Sequence, residues 1–227
     1  MSGITLHKSC PLSPITKDEL MSYIFYAESR IQMAVNDNGL YIDYEWEGTE
    51  EQIAMVENHR LWPDFLSIWE YAELGKFAFP AGVKLSAEIV NDLLIDIYKF
   101  IGMAEVLLSH DGSFGLETLD EREAGAKVVY KFIARAKLDY KINLDDMPIG
   151  WLFPVAANEA LTTTEYALLA GLRHVGAVRN EVSDKHNPLI TKKVGNTLLI
   201  SINEARKKLP LKRKFVPSVG IDYDLIG

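Results

Sequence analysis

The stretch that decides the fold is residues 161–209, which read LTTTEYALLAGLRHVGAVRNEVSDKHNPLITKKVGNTLLISINEARKKL. The threonines at 162–164 can cap a short helix, and Gly171 can end it, because glycine tolerates the left-handed backbone of a tight turn. The spacing of apolar residues predicts a second short helix over about residues 175–183. Two short helices joined by a glycine-containing turn are typical of a helix-turn-helix unit, whose second helix enters the major groove of DNA.

A β-hairpin is predicted directly after these two helices. Residues 189–194 and 197–200 are rich in residues that favour strands, and they flank the two-residue turn Gly195-Asn196. Ser201 can then cap a final short helix. The order of helix, turn, helix, hairpin and helix predicts a small winged helix-turn-helix domain.

This segment resembles the MerR/excisionase superfamily of small winged DNA-binding domains over about 50 residues. The matching positions are Thr163, Thr164, Glu165, Ala167, Gly171, Val178, Arg179, Gly195, Ile200, Ser201, Glu204, Ala205 and Leu209. The segment departs from the family pattern at two places. The family usually opens its second helix with a serine, whereas this chain has Arg173 and His174 there. About one extra residue also separates Gly171 from Val178.

The charge of the chain is divided unevenly along its 227 residues. The net charge of −8 would by itself argue against a nucleic-acid partner. Residues 161–218, however, hold 11 lysines and arginines and only four aspartates and glutamates, whereas residues 1–160 carry a balance of −13. This asymmetry favours an acidic body and a separate basic part, the alternative being a basic segment docked on the acidic body within one domain.

The residues expected to contact DNA lie on the second helix, on the hairpin and in the basic tail. Arg179 is suited to a bidentate contact with guanine and Asn180 to one with adenine. Lysines of the wing and tail would neutralise phosphates and make binding strongly dependent on salt. The full candidate set is His174, Arg179, Asn180, Lys192, Lys193, Asn196, Lys207, Lys208, Lys212, Arg213 and Lys214.

The first 150 residues are predicted to form one acidic, mainly helical domain. Capping residues and apolar periodicity predict helices over about 17–35, 49–60, 63–75, 86 onward and 118–140. Residues 40–47 alternate like a half-buried strand, and residues 142–150 are polar with Pro and Gly, so they are the best linker candidate. The predicted domains are therefore residues 1–150 and 151–227, and the fold class is mainly α.

Composition excludes several classes of protein. The single cysteine, Cys10, excludes a disulfide framework. No apolar run is long enough to span a bilayer, and the N-terminus lacks the apolar core of a secretory signal, so we expect a cytoplasmic location and no membrane partner. No motif calls for a cofactor or a structural metal.

An enzyme would need a site in the acidic domain, and the candidates there are weak. Glu88, Asp92 and Asp96 fall on one helix face, and acidic side chains also alternate in 43–47, yet acidic solvated faces are commoner than metal sites. The segment His110-Asp111-Gly112-Ser113 lacks the spacing of a catalytic triad. An aromatic-lined pocket for a small-molecule effector stays open, although aromatic residues more often pack in cores.

The sequence thus favours a non-enzymatic, sequence-specific DNA-binding protein, a transcriptional regulator, working as a homodimer joined through its helical domain. Two alternatives remain at this point. One is an adaptor whose winged fold binds another protein, and the other is an enzyme with its site in residues 1–150.

Overall fold

The computed structural model describes residues 4–35, 45–76, 85–110, 123–153 and 159–223. The chain is mainly helical and has a small three-stranded antiparallel sheet. The elements are α1 (Lys17–Val35), α2 (Glu50–Glu57), α3 (Trp62–Leu74), α4 (Ala87–His110), α5 (Ala124–Tyr140), α6 (Pro148–Leu152), β1 (Leu161–Thr162), α7 (Thr163–Leu169), α8 (Gly176–Val182), β2 (Lys192–Val194), β3 (Thr197–Ile200) and α9 (Ile202–Lys208), followed by a 3-10 turn over Leu209–Leu211. Within these ranges, no helix combines the length and the apolar character needed to cross a membrane.

Helix boundaries in the first half follow the predicted capping residues closely. The hydroxyl of Thr16 accepts a hydrogen bond from the Glu19 amide at 3.1 Å, while the Glu19 carboxylate accepts from the Thr16 amide. Thr49 caps α2 in the same reciprocal way with Gln52. Helix α3 ends at Gly75, whose φ of 65° is the left-handed conformation that glycine adopts without strain.

Three predictions for the first half need correction or lie beyond the described residues. Residues 40–44 of the predicted strand lie outside the described residues, and residues 45–47 form no regular element. Residues 118–122 of the predicted long helix are likewise outside, and α5 begins at Ala124. The predicted linker is wrong, because Leu144 and Ile149 are fully buried and Pro148–Leu152 is helical. Apolar residues among the polar ones pack this connection into the core.

Helix α5 is the centre of the molecule. Every residue from Ala124 to Asp139 is buried, whereas apolar periodicity alone predicts burial of Val128, Val129, Phe132, Ile133 and Ala136. The helix packs against α1, α3 and α4 from the first half of the chain and against α7 and α9 from the second half. One cluster of buried apolar residues accordingly includes side chains from both predicted domains. The proposed boundary near residue 150 stays a prediction.

The small sheet belongs to the C-terminal part. Strand β3 lies between β1 and β2, and both pairings are antiparallel. Leu161 pairs with Ile200, and both side chains are fully buried, so β1 anchors one end of the hairpin to the core. The hairpin turn lies at the other end, where Val194 pairs with Thr197. The predicted hairpin is therefore formed, with Gly195 at a φ of 57°.

Candidate nucleic-acid interface

Helix α7 is fixed by a capping box and by a buried ion pair. The Glu165 carboxylate accepts a hydrogen bond from the Thr162 amide at 2.7 Å, and the Thr162 hydroxyl accepts one from the Glu165 amide. The same carboxylate lies 2.9 Å from the Lys137 ammonium of α5, and both side chains are fully buried. Burial raises the pKa of Glu165, whereas the charge of Lys137 opposes that rise. The pair joins α7 directly to the central helix.

The turn after α7 is held by segments from both ends of the chain. Gly171 has a φ of 64°, and a Cβ there would come within 2.7 Å of the Lys214 side chain. The Leu12 amide donates a hydrogen bond to the Arg173 carbonyl at 2.9 Å. This is the stretch in which the sequence departs from the MerR/excisionase pattern. The longer turn is thus packed between an N-terminal and a C-terminal segment.

Helix α8 presents Arg179 and Asn180 to solvent, as predicted. Val178 is fully buried, whereas Arg179 and Asn180 are exposed, and His174 is exposed in the turn before the helix. Glu181 instead points back into its own unit, where its carboxylate accepts a hydrogen bond from the Tyr166 hydroxyl at 3.1 Å. The outer side of α8 therefore offers a guanidinium and an amide close together.

The hairpin extends the same kind of surface. Lys192, Lys193 and Asn196 are all exposed. Lys192 pairs with Leu199 and Lys193 with Leu198, so the two lysines lie on opposite faces of the hairpin. Lys192 and Lys193 cannot both contact a surface that lies against one face of the hairpin. Both can contact a polyanion that lies along the edge of the hairpin.

The cations of the basic tail divide into an exposed group and a paired group. Lys207, Arg213 and Lys214 are exposed. Lys208 donates instead to the Asn187 side chain and lies 4.0 Å from the Glu204 carboxylate, and Lys212 lies 2.8 Å from the Glu181 carboxylate. Two of the five predicted tail cations thus pair with carboxylates, Lys208 with Glu204 four residues before it and Lys212 with the more distant Glu181.

Three further cations alter the predicted basic surface. Arg173 and Lys185 are exposed cations beside α8, and only their charge could have indicated them. Arg206 counts toward the basic balance but is buried, where it donates to the carbonyls of Leu138 and Asp139 at 2.8 and 3.0 Å. Its burial could not be predicted, because it depends on the approach of α5.

Other candidate sites are poorly supported by the geometry. The described residues hold no group of three His, Cys, Asp or Glu side chains placed to bind a metal ion. Residues 111–113 of the weighed triad segment lie outside the described residues. A cavity of about 600 Å³ lies between α1 and α2, and its lining residues are Phe25, Glu45, Glu47, Thr49, Glu51, Gln52 and Met55. Its acidic wall makes it unsuitable for nucleic acid.

Comparison with known proteins returned no relative: no protein-family model, no curated protein and no solved structure matches this chain.

Proposed function

We propose that this chain is a sequence-specific DNA-binding protein, a transcriptional regulator, in which residues 161–209 form a winged helix-turn-helix. Helix α8 is the recognition helix and the β2–β3 hairpin is the wing. The observation that carries the proposal is that exposed cations line two consecutive elements. Arg179, Lys192 and Lys193 are all exposed, and none pairs with a carboxylate of the described residues.

The packing of the unit supports this orientation. The central helix α5 packs against α7 and α9, whereas α8 packs against α7 on its inner side. The outer side of α8 and the tip of the hairpin therefore stay open to a duplex. Arg179 reads guanine through its two parallel donors, Asn180 reads adenine, and the wing lysines bind phosphates, which position the unit without reading sequence.

Electrostatics favours approach of the duplex to this side only. The exposed tail cations Lys207, Arg213 and Lys214 add positive charge to the C-terminal part of the chain, which also contains α8 and the hairpin. The acidic remainder of the chain repels phosphate and so disfavours other docking orientations. We further propose that the protein is a cytoplasmic homodimer, since paired helix-turn-helix units gain affinity by binding two half-sites.

Selection from a random duplex pool tests sequence-specific binding. We expect the wild-type chain to enrich a defined sequence and to bind it more tightly than a scrambled duplex. Arg179→Ala should then lower the affinity for the enriched site about tenfold or more, because one bidentate base contact contributes roughly 1–3 kcal/mol of discrimination. Its effect on the scrambled duplex should be smaller.

A matched pair of double variants separates the loss of cations at the hairpin from a general loss of positive charge. Lys192→Ala/Lys193→Ala and Lys76→Ala/Lys99→Ala each remove two exposed cations, but the second pair lies on the helical body. Only the hairpin variant should weaken binding and flatten its salt dependence. Equal effects of both variants, or no binding at low salt, would show that the proposal is wrong. Light scattering that shows a monomer at high concentration would remove the dimer.

A further inference from the structure

We propose that Glu181 is a positioning residue for DNA recognition: it fixes the rotation of α8 and keeps Lys212 away from phosphate. This inference rests on the proposed function and assigns roles within the same surface. Glu181 makes no contact with DNA in this scheme. It acts through Arg179 and Lys212.

Glu181 joins four parts of the unit. Its carboxylate oxygen Oε2 accepts a hydrogen bond from the Tyr166 hydroxyl of α7 at 3.1 Å and forms an ion pair with the Lys212 ammonium of the tail at 2.8 Å. Its backbone carbonyl accepts from the Leu189 amide, at the approach to the hairpin, at 3.0 Å. Helices α7 and α8, the hairpin approach and the tail therefore meet at one residue.

The helical period links this inner contact to the outer surface. Residues of an α-helix are separated by about 100° around the axis, so Glu181 lies roughly 200° from Arg179. Holding the Glu181 side chain inward therefore directs Arg179 outward. Helix α8 has only seven residues and buries only Val178 completely, so apolar packing alone constrains its rotation weakly.

The Tyr166 hydroxyl remains a hydrogen-bond donor to the Glu181 carboxylate. The Tyr166 side chain is buried, and burial together with the nearby Glu181 charge raises its pKa, so the hydroxyl stays protonated. Lys212, in contrast, is half-buried, and its charge is already matched by Glu181. A lysine that already pairs with a carboxylate releases no counterion when DNA binds.

Substitution of Glu181 should change two separate properties of binding. Glu181→Gln keeps the size of the side chain and an oxygen for Tyr166 but removes the charge that holds Lys212. Freed Lys212 should then gain one phosphate contact, which steepens the slope of log affinity against log salt by about 0.9. The ratio of affinities for selected and scrambled duplexes should fall, because α8 loses its ion pair with Lys212 of the tail.

Three further variants make the test specific. Lys212→Met should leave the salt slope unchanged in the wild-type background but reverse the steepening in the Glu181→Gln background. Lys214→Met, which removes an exposed tail lysine, should flatten the slope by about 0.9 in both backgrounds. Tyr166→Phe removes only the hydroxyl, so it should lower the specificity ratio without altering the slope, and circular dichroism checks that each variant is folded.

The outcomes distinguish this inference from the proposed function. A flatter slope for Lys212→Met in the wild-type background would mean that Lys212 already contacts phosphate, which overturns the inference. Unchanged slope and specificity in Glu181→Gln would overturn it as well, while Arg179→Ala could still support DNA binding. Failure of the wild-type chain to bind any duplex overturns both.

Discussion

Charged side chains of α5 are buried, and Asp139 and Arg135 make polar contacts within the protein. Asp139 accepts hydrogen bonds from the Tyr71 and Tyr223 hydroxyls at 2.5 and 2.7 Å. Arg135 donates to the Val216 carbonyl and to the Ser218 hydroxyl, both at 2.8 Å. A buried charge is tolerated only when partners replace the water that it loses. These contacts therefore specify how the C-terminal segment fits on the helices.

Lys137→Met tests the most deeply buried of these pairs. The substitution leaves the Glu165 carboxylate without its cation, so we expect the free energy of unfolding to fall by about 3–5 kcal/mol in urea denaturation. Adding Glu165→Gln should restore part of the loss, because the amide is neutral and can still accept from the Thr162 amide. The control Lys99→Met breaks an exposed pair and should change little. A double variant no more stable than Lys137→Met would contradict this account of the pair.

His59 predicts a pH dependence of stability. Its Nδ1 accepts a hydrogen bond from the Leu61 amide at 3.3 Å, and its ring packs against Phe100, so burial lowers the pKa of His59 despite the nearby Glu28 carboxylate. The unfolded chain then binds the proton more readily than the folded one. Stability should therefore be retained above about pH 6.5 and decline as the pH falls below it.

The histidine contribution is isolated by comparing His59→Gln with the wild type. Urea denaturation between pH 5 and 8 should give a shallower decline for the variant than for the wild type. Parallel curves for the two proteins would assign the pH dependence to other groups.

Among the elements, local signals predicted far more than long-range ones. The Thr162–Glu165 capping box, the Gly195-Asn196 turn and the Ser201 cap are contacts within a few residues, and all three are formed. The burial of α5 on all sides was not predicted, because the partners of its lysines and arginine are remote in sequence. Their side-chain partners Glu73, Glu165 and Ser218 lie 58, 28 and 83 residues away in sequence. Only the tertiary fold brings them together.

The difference between local and long-range contacts also explains why the state of only some interface cations could be predicted. Exposure of Arg179 and of the hairpin lysines follows from local periodicity. The ion pair of Lys212 does not, because Glu181 lies on a different element, whereas Lys208 and Glu204 are four residues apart on one helix. The predicted linker failed similarly, since burial of Leu144 depends on a surface provided by other helices.

Gly75→Ala tests how the C-terminal segment meets α3. The Val219 amide donates to the Gly75 carbonyl at 2.9 Å, and a Cβ on residue 75 would collide with the Pro217 carbonyl oxygen. Thermal denaturation should show a clear loss of stability. Gly195→Ala is the matched control, because residue 195 has a similar positive φ of 57° but nothing within 4 Å of an added Cβ. Equal losses for both variants would mean that backbone strain alone, and not the collision, sets the effect.

On the scale of the whole molecule, the buried contacts of α5 with both halves predict one cooperative unfolding transition. Three of the four tryptophans, Trp46, Trp62 and Trp69, lie in the first predicted domain, and Trp151 at its edge is largely exposed, so fluorescence reports mainly on the first domain. Circular dichroism reports on the entire chain. The two urea curves should coincide. Separated midpoints would instead favour two independently stable domains, as the predicted boundary near residue 150 implies.

The central claim concerns which surface meets DNA, and amide hydrogen exchange with and without the selected duplex measures this most directly. We predict slower exchange on DNA binding in residues 173–182 and 190–197, with α1 and α4 unchanged, because contacted segments open to solvent less often. Protection confined to the helical body, or no protection at saturating duplex, would contradict the account.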